Sequence, residues 1–543
     1  MKNLNLQRIK NITSSKFILL ISLYFAIFLN ISLWKFVLTQ QQIWNGEWIL
    51  TFAVFPLFIF VTLYLLFNLL TVPYVGRIII IILLFCSAIS DYAMQNLGIV
   101  IDSSMMRNFM ETNPRELEDL ITPCMLKHIF IKALLPSIWV IWVKIKYEPF
   151  AIETKYRLIR CLIAVIIPLL FAPFTYKNFV SFGRNHGQVR HLINTFNYVC
   201  ALKRYYKKHK SATHELIIID GHPTINKKEN NHPRVLVYVI GETARANNFS
   251  LYGYNKTTNP LLQKENVVVF KDVNSCGTST AISLPCMFSS QTQQDFKQNQ
   301  ADYTQNLVDI IQSAGYDIFW KDNDDGCKNV CKRIPTEDTI KTNKQPYCLG
   351  SYCYDEVLLD GLEQEISAIK KDTVIVLHTM GSHGPSYHKR YPALFEKFVP
   401  VCHTADLSQC SREEIVNAYD NTILYTDYIL SEIIRILKQY SQLSSSMLYV
   451  SDHGESLGEN NIYLHGFPYV LAPDEQKKVP MILWLSEQIK KDLDIDIRKL
   501  NKKAEDEKFS HDNLFHSILY LLSINTTASE KERTQLNILN NQQ

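Results

Sequence analysis

The chain has 543 residues, a formal net charge of +4, 47% hydrophobic residues and 12 cysteines. That length exceeds one ordinary domain. The small positive balance, with Lys and Arg scattered or set beside apolar runs, excludes a nucleic-acid-binding protein. Composition changes near Tyr176, from long apolar runs to a mixed globular pattern.

A helix needs roughly 20 mostly apolar residues to cross a bilayer core. Five segments reach or approach this, at about Phe17 to Val37, Trp48 to Leu70, Gly76 to Met94, His128 to Val143 and Leu158 to Phe174. The last carries Pro168 and Pro173, which membrane helices tolerate. The first follows Lys2, Arg8, Lys10 and Lys16 but is too long for a signal peptide and lacks a small-residue cleavage site, so it reads as an anchor. Basic loops alternate with non-basic ones: TQQQIWNGE has no Lys or Arg, whereas the stretch from Lys144 to Arg160 is rich in them. Five spans then put the N-terminus in the cytoplasm and everything after about Tyr176 outside. Four spans with a cytoplasmic soluble domain is the alternative. Between the third and fourth spans, Asn108, Thr112 and Glu116 recur every fourth residue, on one helical face that Pro114 interrupts. From the residues alone this is a solvated face. After the last span, Tyr176 to about Asn231 reads as an amphipathic connector and linker, with Phe179 and Phe182 as interfacial anchors.

Beyond the linker three apolar runs read as buried parallel strands. Arg234 to Ile240 leads into Gly241-Glu242-Thr243. Thr373 to Met380 carries His378 and leads to His383. Ser446 to Val450 leads into Ser451-Asp452-His453-Gly454. Helical patterns lie between, from Tyr303 to Gly315 and from Asn417 to Gln439. Alternating strands and helices give an α/β domain with a mainly parallel sheet, and such sheets bind ligands beyond their carboxyl ends. One acidic residue after a strand is a turn or a helix cap. Glu, His-x4-His and Asp-His after three strands make a metal-ligating constellation suited to zinc. In SCGTSTAISLPCMFS, hydroxyl residues crowd the start of a short helix, where a metal and the helix end would favour an alkoxide nucleophile. Thr278, Ser279 and Thr280 all remain candidates, and a capping box needs no chemistry at all.

Eight cysteines fall as close pairs, Cys276 with Cys286, Cys327 with Cys331, Cys348 with Cys353 and Cys402 with Cys410. They are read as disulfides of an oxidising compartment rather than a zinc cluster. Cys86, Cys124, Cys161 and Cys200 lie in or near the spans. The terminal ASEKERTQLNILNNQQ is polar and expected to be loose.

Three stretches, IGETARANNFSLYGYNKTTNP, SCGTSTAISLPCMFS and SDHGESLGENNIYLHG, resemble the lipid A phosphoethanolamine transferases, including the mobile colistin-resistance enzymes. The resemblance covers nearly the whole chain. It implies five membrane helices (1–175, with a substrate-facing loop near 100–120), the connector (176–231) and a periplasmic catalytic domain of alkaline phosphatase/sulfatase type (232–543). It implies Thr280 as nucleophile and Glu242, Thr280, Asp452 and His453 as ligands of one tightly bound zinc. It places His383 and His465 at the phosphoethanolamine group or a second zinc, Lys321 at the phosphate, and Asn108, Thr112 and Glu116 at the donor lipid. His378 fits the strand pattern and is given no catalytic role. The implied reaction moves phosphoethanolamine from phosphatidylethanolamine to lipid A, among the lipids of the bacterial inner membrane, by a monomeric enzyme. A different acceptor, such as a core sugar, a sulfatase-like hydrolase or an inactive scaffold are the alternatives.

Overall fold

The structure is a computed structural model that describes residues 11–39, 46–111, 120–185, 189–208, 215–227, 232–349, 352–527 and 537–539. The chain divides into two compact units, Met1–Met106 with Ile121–Tyr205, and Arg107–Leu120 with Tyr206–Gln543.

Among the described residues of the first unit four helices are long and apolar enough to cross a membrane: Trp48–Leu70, Val75–Leu97, Pro123–Trp142 and Phe150–Val180. Ser14–Phe28 and Ile31–Thr39, which meet at a 51° bend, are long and apolar enough only as a pair, and make the count five if the pair is one span. The bend has a definite cause. Asn30 Nδ2 donates to Phe25 O, and Asn30 Oδ1 accepts from Asn194 N. Asn194 Nδ2 in turn donates to Leu29 O and Ser87 O. Side-chain amides thus satisfy the backbone groups that the break frees. Pro168 and Pro173 do not interrupt their helix, which runs Phe150–Asn185. Phe179 and Phe182 are packing residues rather than interfacial anchors. Phe179 lies 4.9 Å from the Phe58 ring and Phe182 lies 5.3 Å from that of Phe52. Their helix carries them onto the aromatic face of Gly46–Leu70. Asp91 is buried in this unit with Lys132 Nζ at 2.6 Å and His128 Nε2 at 3.1 Å, as a charge in an apolar layer requires.

The second unit is built on a seven-stranded sheet. In chain order its strands are β1 (Arg234–Gly241), β2 (Val267–Phe270), β3 (Asp317–Asp322), β4 (Thr336–Asp338), β5 (Thr373–His378), β6 (Ser444–Ser451) and β7 (Met481–Leu485). Their order across the sheet is β2-β7-β6-β1-β5-β3-β4. From β6 to β4 all neighbours are parallel; β7 runs antiparallel to both β6 and β2. Strands β1 and β6 are buried along their whole length, which explains the apolar runs Val235–Ile240 and Met447–Val450 at their centres. Helix α1 (Thr280–Met287) follows β2, and helix α2 (Arg412–Gln439) precedes β6. Helix α2 starts at a Ser411 capping box closed by Glu414, earlier than the hydrophobic periodicity indicates.

The four cysteine pairs are disulfides, and Cys86, Cys124, Cys161 and Cys200 are free. In the C-terminal stretch Ile538 and Leu539 are buried in the core, so this part of the tail is anchored by its two apolar side chains.

Candidate active site

The carboxyl ends of β1, β5, β6 and β3 bring together most of the residues that the sequence singles out. Glu242 leaves β1 fully buried. Thr280 is the first residue of α1 and its hydroxyl lies 3.1 Å from both Glu242 oxygens and 3.4 Å from His453 Nε2. His453 Nε2 is 3.4 Å from Glu242 Oε1 and 3.3 Å from Asp452 Oδ2. Of the three hydroxyl candidates Thr280 is the one bonded to Glu242 and His453; Thr278 Oγ1 donates instead to Phe467 O at 2.5 Å, and the buried Ser279 hydroxyl has no hydrogen-bond partner among the described residues.

The backbone aims these groups. Asp452 Oδ1 accepts from Thr243 N and His453 N, while buried Oδ2 has no hydrogen-bond partner. His453 Nδ1 lies 3.0 Å from Gly454 O. A carbonyl only accepts, so the proton sits on Nδ1 and the Nε2 lone pair faces Thr280. Tyr419 of α2 clamps the turn after Glu242, donating to Thr243 O at 2.7 Å and accepting from Arg245 N at 2.9 Å. Two glycines permit the close approach. A Cβ on Gly454 would lie 2.1 Å from Glu475 O, and one on Gly381, at φ +52°, would lie 2.6 Å from Glu242 O.

Burial pushes the Glu242 carboxyl well above its usual range, with Asp452 and Asp324 adding to the effect and His378 opposing it. Burial also raises Asp324, to about 6. A buried, mutually repelling carboxylate set is the environment that a divalent cation neutralises. The distances fit one. Ligands about 2.0 Å from a tetrahedral zinc lie about 3.3 Å from each other, and Thr280 to Glu242, Thr280 to His453, His453 to Glu242 and His453 to Asp452 measure 3.1 to 3.4 Å.

Two further imidazoles line the same region. The His465 ring is 4.5 Å from that of His453 and 5.4 Å from that of His383. His465 Nδ1 donates to Glu455 Oε2 at 2.8 Å, and Tyr387 holds the other Glu455 oxygen. Burial holds His383 well below the usual histidine range, with His465, Arg390, His453 and Lys328 acting in the same direction.

Lys321 is not brought to this cluster. Its ammonium pairs with Glu365 at 2.8 Å and donates to Asp360 O, and these are its polar contacts among the described residues. It alternates along β3 with Asp322, which faces His378. Lys328, inside the Cys327–Cys331 loop, is the cation that acts on both His383 and Asp324. Asn108 lies in the helix Ser103–Glu111, whereas Thr112 and Glu116 lie outside the described residues.

Sequence reasoning also missed Asp322 and Asp324. The signal was present: DIFWKDNDDG is a short apolar strand that ends in carboxylates, the logic already applied to SDHG. His378 is more than a satisfied core histidine. Its Nδ1 donates to Asp322 Oδ2 at 3.0 Å, but buried Nε2 has no hydrogen-bond partner. Burial would lower His378, but Asp322, Asp324 and Glu242 outweigh it and hold it near about 10.

His511 links the two catalytic segments. Its Nδ1 accepts from Cys276 N at 3.0 Å and its Nε2 donates to Ser451 O at 3.0 Å. Burial lowers it to about 4, so it is neutral in the folded protein. Between its ordinary value of about 6.5 and about 4, the unfolded chain takes up a proton that the folded chain refuses. Stability from this group is therefore full above pH 6.5 and falls by about 3 kcal/mol as pH drops to about 4. Unfolding of the detergent-solubilised protein at pH 7.5 and 4.5 checks this. The His511→Gln variant is expected to lose less on acidification, and an equal loss would count against it.

The sequence pattern described as "Sulfatase" matches residues 234–524, and that of "Phosphoethanolamine transferase EptA/EptB" matches residues 59–210. Phosphoethanolamine transferase EptA of Escherichia coli K12 is 39% identical over 513 residues, covering 94% of each chain. The chain belongs to the EptA/EptB phosphoethanolamine transferase family. Phosphatidylethanolamine transferase Mcr-1 of Escherichia coli is 34% identical and covers 85% of this chain and 86% of its own. The solved EptA from Neisseria meningitidis, an integral membrane lipooligosaccharide phosphoethanolamine transferase, superposes with a TM-score of 0.93 at 36% identity, over 98% of this chain and 99% of that one. The family thus accounts for both halves of the fold: membrane helices followed by an α/β domain of alkaline phosphatase/sulfatase type.

Proposed function

We propose that this protein transfers phosphoethanolamine from phosphatidylethanolamine to a phosphate of lipid A through a covalent intermediate on Thr280. The observation that carries this reading is the Thr280 hydroxyl set among Glu242, Asp452 and His453 at tetrahedral ligand spacing. Those four residues would hold zinc, with Asp452 Oδ2 as the unpaired oxygen awaiting it. Bound there, zinc lowers the cost of the Thr280 alkoxide and neutralises charge on the phosphoryl group.

The chain's own groups do the rest. Thr280 Oγ1 donates its hydrogen bond to Glu242, the acceptor for its proton as the oxygen attacks phosphorus. The new Oγ1–P bond forms as the P–O bond to diacylglycerol breaks, and diacylglycerol leaves with the proton that Glu242 took up. A lipid A phosphate hydroxyl then attacks the same phosphorus, and its proton passes to the Thr280 oxygen as the Oγ1–P bond breaks. Lys328 supplies positive potential around the transferring group, His383 and His465 offer imidazole nitrogens to it, and the N-terminus of α1 adds to the potential. Lys321 is held by Glu365 and serves the sheet. Asn108, with Thr112 and Glu116, is assigned to the donor lipid. Five spans in the inner membrane, with the domain from about 232 onward in the periplasm, fit the lipid substrates and the disulfides. Domain limits of 1–175, 176–231 and 232–543 and a monomeric state belong to the same reading. An amine placed on lipid A phosphate lowers surface negative charge and so the binding of cationic polymyxins such as colistin.

Mass spectrometry of lipopolysaccharide from cells with and without the protein tests this. The expected result is lipid A heavier by one phosphoethanolamine and reduced colistin susceptibility. Phosphoethanolamine on core sugars alone would move the acceptor, and diacylglycerol release with no modified glycan would favour a hydrolase.

A further inference from the structure

We propose that Glu242, Asp324 and His378 form a second divalent-cation site, which shares Glu242 with the site around Thr280. The proposal rests on the zinc reading above for the shared carboxylate and goes beyond it in naming where a second ion sits. One ligand atom from each of the three residues lies within 4.8 Å of the others, and all three are buried.

Two carboxylates and an imidazole alone would not carry this. The decisive feature is how His378 is held. Asp322 is saturated: Oδ2 accepts from Trp320 Nε1 at 2.9 Å and from His378 Nδ1 at 3.0 Å, while Oδ1 accepts from Asp324 N and Gly326 N at 3.1 Å each. That carboxylate fixes the proton on Nδ1 and points Nε2 the other way. A carboxylate on one imidazole nitrogen with the other left for a metal is the arrangement that orients histidine ligands. Nε2 is wholly buried, has no hydrogen-bond partner and lies 3.8 Å from Asp324 Oδ2. An ordinary core histidine would satisfy that nitrogen. One carboxylate just after β1, one just after β3 and the imidazole at the end of β5 make a mixed N/O donor set that suits zinc. His383 and His465 belong to neither group of three.

The rival arrangement is a doubly protonated His378 locked between Asp322 and Asp324, with no ion. Zinc counting on the full-length protein in detergent, stripped by chelator and reloaded, separates the two. The wild type is expected to bind two zinc ions per chain by elemental mass spectrometry and calorimetry. Asp324→Asn, nearly isosteric, and His378→Gln should each bind one. Asp452→Asn should also lose one, from the first site, while the His383→Ala/His465→Ala double variant keeps two. A single zinc in the wild type would overturn the proposal. So would a second ion that survives in Asp324→Asn or disappears with His383 and His465. A wild type that binds no zinc would instead remove the first reading.

Discussion

Replacing Thr280 by alanine is expected to lower phosphoethanolamine transfer by at least about 10^3-fold, because a nucleophile removed from a covalent mechanism takes most of the rate with it. Folding should survive. Thr280 opens α1, where alanine is well tolerated, and its hydroxyl bonds only Glu242 and His453 among the described residues. The measurement is diacylglycerol release from phosphatidylethanolamine in mixed micelles, beside an unfolding curve. Thr280→Ser should keep a measurable rate, since it keeps the hydroxyl. Transfer undiminished in Thr280→Ala would sink the nucleophile assignment.

Replacing Arg245 by alanine is expected to cost about 3–5 kcal/mol of stability, the range for breaking a buried ion pair from one side. Arg245 is buried, donates from Nη1 to Glu459 Oε1 at 2.9 Å and to Glu455 O at 3.1 Å, and bonds Asn248 through Nε. Its guanidinium also lies over the Tyr419 ring at 5.6 Å. Arg412 reaches the same Glu459 oxygen at 3.2 Å and can offset part of the loss, which favours the lower end of the range. Tyr419 and Glu455 also support Thr243 and His465, so activity should fall with stability. Chemical denaturation reads the effect, and a loss below about 1 kcal/mol would show that Arg412 alone suffices.

Much of this was legible in the sequence, for reasons that differ by feature. The membrane helices announce themselves because every residue in a span meets the same solvent, so composition alone marks them. The disulfides were legible because each pair is near in sequence. The strand ends were legible because Glu242, His378 and the Asp452-His453 pair recur at three separate buried strands, where one such residue alone would be a turn or a helix cap. What sequence could not settle was partnership. Lys321 and Lys328 are both lysines in one short segment, and only the alternation of β3 and the position of Glu365 separate them. Phe179 and Phe182 are as apolar as interfacial anchors, but their fate depends on the aromatic face opposite. Asn30 looks like a flaw in a span until Asn194, far along the chain, takes up its amide. His378 reads as core because the unmet nitrogen is visible only in three dimensions.

The reacting cluster gathers residues that lie far apart along the chain: Thr280 meets Glu242 across 38 positions and His453 across 173. No hairpin or helix of the domain holds the set by itself, and β6 arrives late in synthesis. A chain stopped before Ser444 would carry the threonine and its glutamate but neither Asp452 nor His453. Capture of an ion at the Thr280 site is therefore expected to report completion of the sheet, since contacts of such span form only when the whole topology closes. A protein sent across a membrane unfolded would then be protected from early metal capture at that site by its own connectivity. The same wiring would leave an unfinished chain unable to attack lipid.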